Sequence, residues 1–146
     1  MTSPPGVSNT ELAERLRLAV ARTARRLRQE AVGGLSPSLS SALASIDRHG
    51  PLTPSALAAR EQIQRPTATR IVDRLVGDGL VERTPDPEDR RRLQLAVTPA
   101  GRATLRASRR RKTALLARAL DRLGPEDRAT LERAAVLLEG LLEEPR

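Results

Sequence analysis

Three times this chain sets a hydroxyl-bearing residue directly before proline, at the head of a run rich in leucine and alanine: Ser36-Pro37, Thr53-Pro54 and Thr98-Pro99. The pairing has a mechanical meaning. The hydroxyl accepts a hydrogen bond from a main-chain N–H that a first helical turn leaves unpartnered, and proline lacks the N–H that the first helical position would waste. Each pair therefore fixes where a helix begins, while Gly33-Gly34, Gly50, Gly79 and Gly124 fix where helices stop. The punctuation predicts a helix from Ser8 to Gly33-Gly34, one from Pro37 to Gly50, a short one over "SALAAREQI" and another over 64–78. A long helix follows Pro99, and a last one runs from Pro125 through Leu142. Residues 1–7, rich in Pro, Gly and Ser, are expected to be disordered, and 8–146 to form one domain.

Two stretches break the helical rhythm. "LVERTP" and "RRLQLAVTP" read as strands over Leu80–Thr84 and Arg92–Thr98, because Leu93, Leu95 and Val97 alternate with Gln94 and Ala96. Leu52 adds a third, minimal strand. The short helices on either side of Glu61 to Gln64, followed by this hairpin, make a winged helix-turn-helix over 35–98. The fold class is mainly α, with a small β-hairpin wing and flanking terminal helices over 8–33 and 99–146.

With no aromatic residue and no cysteine, the core must come from Leu, Val, Ile and Ala. The missing thiols exclude a disulfide framework, a thiolate metal site and thiol redox sensing. One histidine, His49, leaves the common catalytic triads and zinc sites without their parts; beside Gly50 it suits a helix C-terminus, where a cation complements the dipole. No phosphate-cradling glycine loop is present. Neither an enzyme nor a bound cofactor is expected. No apolar run reaches the ~18–20 residues of a membrane span, and the N-terminus has no apolar signal segment, so a cytoplasmic protein is expected.

The formal charge is +8, and its distribution is uneven. Arg60 to Lys112 holds 14 basic and 7 acidic residues, whereas 113–146 holds 5 and 7. Codon bias explains why 25 of 26 basic residues are arginine, but not why they cluster. A concentrated positive segment is the footprint of a polyanion partner. In 64–78, Ala68, Ile71, Val72 and Leu75 form an inward stripe, and Arg65, Thr67, Arg70, Asp73 and Arg74 face outward. As a helix in the major groove of double-stranded DNA, it would offer Arg70 to guanine and Pro66 and Thr67 to a thymine methyl. Thr69 lies on the same turns, and Arg65 and Arg74 would flank them at phosphates. Asp73 is unwelcome there unless it orients an arginine. At the hairpin tip, "DPEDRRR" crowds Arg90, Arg91 and Arg92 together. Such an arginine can enter the minor groove, held extended by Asp89 or Asp86.

The stretch "GLVERTPDPEDRRRLQLAVTPAG" resembles the wing signature of the MarR (multiple-antibiotic-resistance regulator) family, roughly D-P-x-D-[RK]-R, an alternating strand, then L-T-x-x-G. Asp86, Pro87, Asp89, Arg90, Arg91, Thr98 and Gly101 match, with Val97 in place of the leucine. "RPTATRIVDRLVGDGLVER" is similar to that family's recognition helix and following strand. The resemblance implies a homodimer with intertwined terminal helices, reading a palindromic operator. It makes Arg91 the wing arginine, Asp89 its orienting partner, and Pro66, Thr67 and Arg70 the base readers. Gln64 stands where the family often has a serine N-cap, and the aromatics that line many effector pockets are missing. Leu12, Leu16, Val20 and Leu27, with Val136, Leu137, Leu141 and Leu142, form the stripes expected to build the dimer. A repressor released by a small-molecule effector is the expected function; a non-specific architectural nucleic-acid binder is the alternative, separable by salt dependence and palindrome preference.

Overall fold

In the computed structural model, residues 6–30 and 35–142 are described, with side chains through Leu141. The helices are α1 (Asn9–Glu30), α2 (Pro37–His49), α3 (Pro54–Glu61), α4 (Arg65–Gly77), α5 (Pro99–Leu120) and α6 (Pro125–Leu142). A two-stranded antiparallel hairpin, β1 (Val81–Pro85) and β2 (Leu93–Val97), lies between α4 and α5. The chain divides into two compact units at Lys112 and Thr113.

The Ser/Thr-Pro pairs cap as the sequence predicts. Ser36 Oγ accepts the Leu39 N–H at 3.4 Å, and Thr53 Oγ1 accepts the Ala56 N–H at 3.2 Å. Thr98 does more: its hydroxyl accepts the Gly101 N–H at 3.1 Å and donates to the Gly79 carbonyl at 2.6 Å. Ahead of α1, the Ser8 N–H and hydroxyl both donate to the Glu11 carboxylate at 2.9 Å, while Ser8 Oγ accepts the Glu11 N–H. This reciprocal box, through the main-chain donor first, lowers the Glu11 pKa.

The core of the first unit is aliphatic throughout. Leu43 and Ile46 of α2, Leu57 of α3, Val72 and Leu75 of α4, and Leu95 of β2 are almost wholly buried. Burying each such side chain contributes roughly 1.5–3 kcal/mol, which lets six aliphatic groups hold α2, α3, α4 and the hairpin together. Leu105 joins the same cluster from α5. By contrast α1 buries no residue, although Leu12, Leu16 and Val20 lie along it; Leu27 is half-buried. In the second unit, Val136, Leu137 and Leu141 of α6 are 65%, 69% and 74% exposed.

The hairpin register pairs Val81 with Val97 and Arg83 with Leu95. Leu52 closes an isolated bridge to Leu95, its N–H donating to the Leu95 carbonyl at 3.2 Å, which is the minimal third strand. Three expectations need correcting. Both strands are displaced or trimmed by a residue relative to the predicted spans. Leu93 is 47% exposed, because β2 outruns the core although the residue is in phase with Leu95. Thr67, expected on the outer face, is half-buried. The predicted end of the first helix at Gly33-Gly34, the disorder of 1–5 and the side chain of Leu142 lie outside the described residues.

Of the described glycines, Gly101 has the least room for a side chain. A Cβ there would stand 2.2 Å from the Leu80 carbonyl oxygen and 2.7 Å from Val97 Cγ1. The backbone of α5 can reach the base of the hairpin only without a side chain. Gly101→Ala is expected to destabilise the protein by about 1–3 kcal/mol through overpacking. Gly77→Ala, at a site with nothing within 4 Å of the added carbon, should be neutral or slightly stabilising. Urea denaturation followed by circular dichroism compares the two.

Candidate nucleic-acid interface

The turn between α3 and α4 places the interface. Gln62 caps α3 in the left-handed region, at φ 54. Its N–H donates to the Ala59 carbonyl at 3.3 Å, and the Ile63 N–H donates to the Ala58 carbonyl at 3.0 Å, closing the last turn of α3. A non-glycine residue in that region costs roughly 1–2 kcal/mol, so the packed helices must enforce it. Ile63 packs against the core and commits the chain to the second helix. At the head of α4, Gln64 makes no side-chain cap hydrogen bond, which leaves first-turn N–H groups without an internal partner.

From that start α4 buries Ala68, Ile71, Val72 and Leu75 and exposes Arg65, Pro66, Thr69 and Arg70. The Thr69 hydroxyl donates to the Arg65 carbonyl at 3.0 Å, so its hydrogen is committed while its oxygen still accepts. Arg74 is paired along the helix, with Nε 3.0 Å from Asp78 Oδ2. Asp73 resolves the objection its charge raised: its carboxylate takes the Arg83 guanidinium of β1. That pair ties the helix to the wing. Arg83 was not singled out from the sequence, yet it had a signal, since alternation from Val81 turns it toward the α4 side of the hairpin.

The wing tip is built by its two aspartates. Asp86 accepts the Glu88 N–H at 2.9 Å through Oδ1 and the Gln94 side-chain N–H at 3.1 Å through Oδ2. The Asp86 N–H donates to the Arg92 carbonyl at 2.9 Å, and the Arg92 N–H to the Asp89 carbonyl at 2.9 Å. Asp89 departs from the expected arrangement. Its Oδ1 accepts the Arg91 main-chain N–H at 3.1 Å, and its Oδ2 stands 3.7 Å from Arg92 Nε. It orients the Arg91 backbone, while its guanidinium neighbour is Arg92. Both members of that long pair are well exposed, so it contributes little.

Among the described residues, Arg65 and Arg70 on α4 and Arg90 and Arg91 on the wing have no ion-pair partner. The nearby aspartates are spent on turns and on Arg74, Arg83 and Arg92, while Glu82 and Glu88 are exposed. No cluster of His, Asp or Glu suited to a metal ion occurs among the described residues, and no helix is long and apolar enough to cross a membrane.

A helix-turn-helix followed by a two-stranded wing, with unpaired arginines on both, defines the winged-helix class of regulators. Residues 35–93 match the model of the MarR family. Over 138 residues the chain is 37% identical to an uncharacterised HTH-type transcriptional regulator of Mycobacterium bovis, spanning 94% of this chain and 96% of that protein. It is 32% identical over 94 residues to the HTH-type transcriptional repressor MdtR of Bacillus subtilis, spanning 64% of this chain and 61% of that one. A solved structure of a Pseudomonas aeruginosa protein classed as a transcriptional regulator aligns with a TM-score of 0.80 and 33% identity, across 97% of this chain and 100% of that one. The chain belongs to the MarR family of helix-turn-helix transcriptional regulators, which are not enzymes.

The uncapped start of α4 is open to improvement. Gln64→Ser should stabilise the protein by about 1 kcal/mol by supplying an acceptor to the Thr67 N–H, whereas Gln64→Ala should not. Chemical denaturation midpoints of the two variants give the answer.

Proposed function

We propose that this protein is a cytoplasmic, homodimeric repressor that binds a palindromic operator in double-stranded DNA and is released by a small-molecule effector. The observation that carries the reading is the set of unpaired arginines at the two projecting elements, Arg65 and Arg70 on α4 and Arg90 and Arg91 on the wing. Arg70 suits the base-reading role and Arg91 the minor-groove role; Arg65 suits phosphate contact, and Pro66, Thr67 and Thr69 complete the α4 surface. Arg74 reaches phosphate only by sharing itself with Asp78, and Arg92 by sharing itself with Asp89. The MdtR resemblance supports repression as the sign of regulation.

The dimer reading rests on apolar residues that the chain leaves uncovered. Leu12, Leu16 and Val20 on α1, and Val136, Leu137 and Leu141 on α6, are exposed side chains on two helices with no buried residue among those described. Leu27 and Leu142 extend the same stripes in sequence. A second copy covers them most economically, and a two-fold dimer presents two α4 helices to half-sites about one helical turn apart. A chain lacking residues 1–33 is expected to lose the dimer and much of its stability. Sedimentation equilibrium tests this, and a stable, cooperatively folding monomeric truncation would count against it.

Base reading and electrostatic contact separate by mutation. Arg70→Ala should cost roughly 1–3 kcal/mol at the cognate site and relax preference at one symmetric pair of positions. Arg91→Ala should weaken binding, flatten the flanking A·T preference and reduce the salt slope by about one. Asp89→Ala should resemble Arg91→Ala in milder form, because it releases the Arg91 backbone. Affinities across a small operator library at several salt concentrations are the measurement. Equal losses for every sequence would establish the non-specific architectural binder instead.

A further inference from the structure

Six of the 14 basic residues between Arg60 and Lys112 lie on α5, outside both α4 and the wing: Arg102, Arg106, Arg109, Arg110, Arg111 and Lys112. With Arg118, the 22 residues of this helix carry seven basic side chains and no acidic one. Like charges one turn apart destabilise a helix, and Arg102, Arg106 and Arg110 follow one another at that spacing. All three are exposed, and none has an ion-pair partner among the described residues. Of the seven, Arg109 is answered from within the fold, by Asp47 of α2 at 3.6 Å.

The packing of α5 settles which side the row occupies. Gly101, Leu105 and Ser108 are buried, and Gly101 lies against the base of the hairpin. At 3.6 residues per turn, Arg102, Arg106 and Arg110 fall to one side of that buried stripe, and steps of four residues set them about 6 Å apart along the axis. The row starts one residue beyond the contact with Leu80 and Val97, at the base of the wing hairpin. A line of positive charge without an internal counter-charge fits a polyanion whose own charges lie along a line. Duplex DNA is such a partner, with about one phosphate charge per 1.7 Å of its axis. Single strands are held largely by stacking on aromatic side chains, and this chain has none.

We propose that Arg102, Arg106 and Arg110 form a second, sequence-independent contact for the phosphate backbone of duplex DNA, outside the base pairs met by α4 and the wing. The contact lengthens the footprint beyond the operator and raises affinity without adding to the sequence that is read. Released counterions supply the gain, so it is greatest at low salt. This rests on the DNA-binding reading above and adds a surface to it.

Duplex length tests the contact in the full-length protein. A short duplex ending at the edges of an operator selected from random fragments is compared with the same operator carrying about one further helical turn of arbitrary sequence on each side. The intact protein should bind the long duplex about tenfold more tightly at low salt. The triple variant Arg102→Gln, Arg106→Gln, Arg110→Gln should match it on the short duplex and lose the gain on the long one. Its salt slope on the long duplex should fall by about one for each arginine replaced. Lysine at the same three positions should restore the gain. Because the chain has no cysteine, Arg106→Cys can carry an iron chelate that cuts nearby DNA, and the cuts should fall in the flanks. Four results would each overturn the second contact. They are no length gain in the intact protein, a gain matched by single-stranded overhangs, cuts confined to the operator, and equal losses on both duplexes in a triple variant whose circular dichroism is unchanged. Preference for the selected sequence over a scrambled short duplex is judged separately. If that preference were absent, the regulatory reading would fall, while the length gain on duplexes of arbitrary sequence would still decide the role of α5.

Discussion

The close approach of α5 to the base of the hairpin governs the rest of the structure. At Gly101 the helix backbone lies against the Leu80 carbonyl and Val97, and three bonds of Thr98 hold that contact in place. The Thr98 N–H donates to the Leu80 carbonyl at 3.0 Å, so the junction gathers the end of α4, both strands and the start of α5 at one residue. The wing can then project in a fixed direction. A longer side chain at 101 would push on main-chain atoms, which have no rotamer by which to retreat.

The acidic residues explain how so basic a segment folds. They are not spread as a neutralising background. Asp86 and Asp89 shape the wing turn through main-chain N–H groups, and Glu61 fastens α3 to α2. Asp73 and Asp78 engage Arg83 and Arg74. Each of these five carboxylates has a local partner, while Glu82 and Glu88 stay exposed beside the arginines left over at the tips. Because exposed pairs contribute little to stability, this arrangement serves direction more than cohesion.

Features set by neighbours in sequence were legible in advance. The Ser/Thr-Pro caps, the buried stripe Ala68, Ile71, Val72 and Leu75, and the hairpin needed only short-range geometry, whereas the Leu52 bridge joins it to Leu95 across the fold. The misreadings came where sequence spacing leaves the partner or the depth of the core open. Alternation gives the phase of Leu93 but not how far the core extends beneath it. Asp89 had three adjacent arginines to choose from, and spacing alone does not select among guanidinium and main-chain donors. Arg83 and the serine partners of Glu61 lie 10, 16 and 20 residues from the groups they meet, so only the packed fold brings them together.

The Asp73–Arg83 pair has a geometric consequence for any duplex this protein reads. It joins the outer face of α4 to β1 and so favours one setting of the wing against the helix. The separation between what α4 touches and what the wing touches is then biased toward one value. Inserting one base pair between those positions would shift the far one by about 3.4 Å and rotate it around the duplex axis by roughly a tenth of a turn. A hinged wing could follow that screw displacement. A latched one resists it, and so the spacing of contacts within each half-site becomes part of the message.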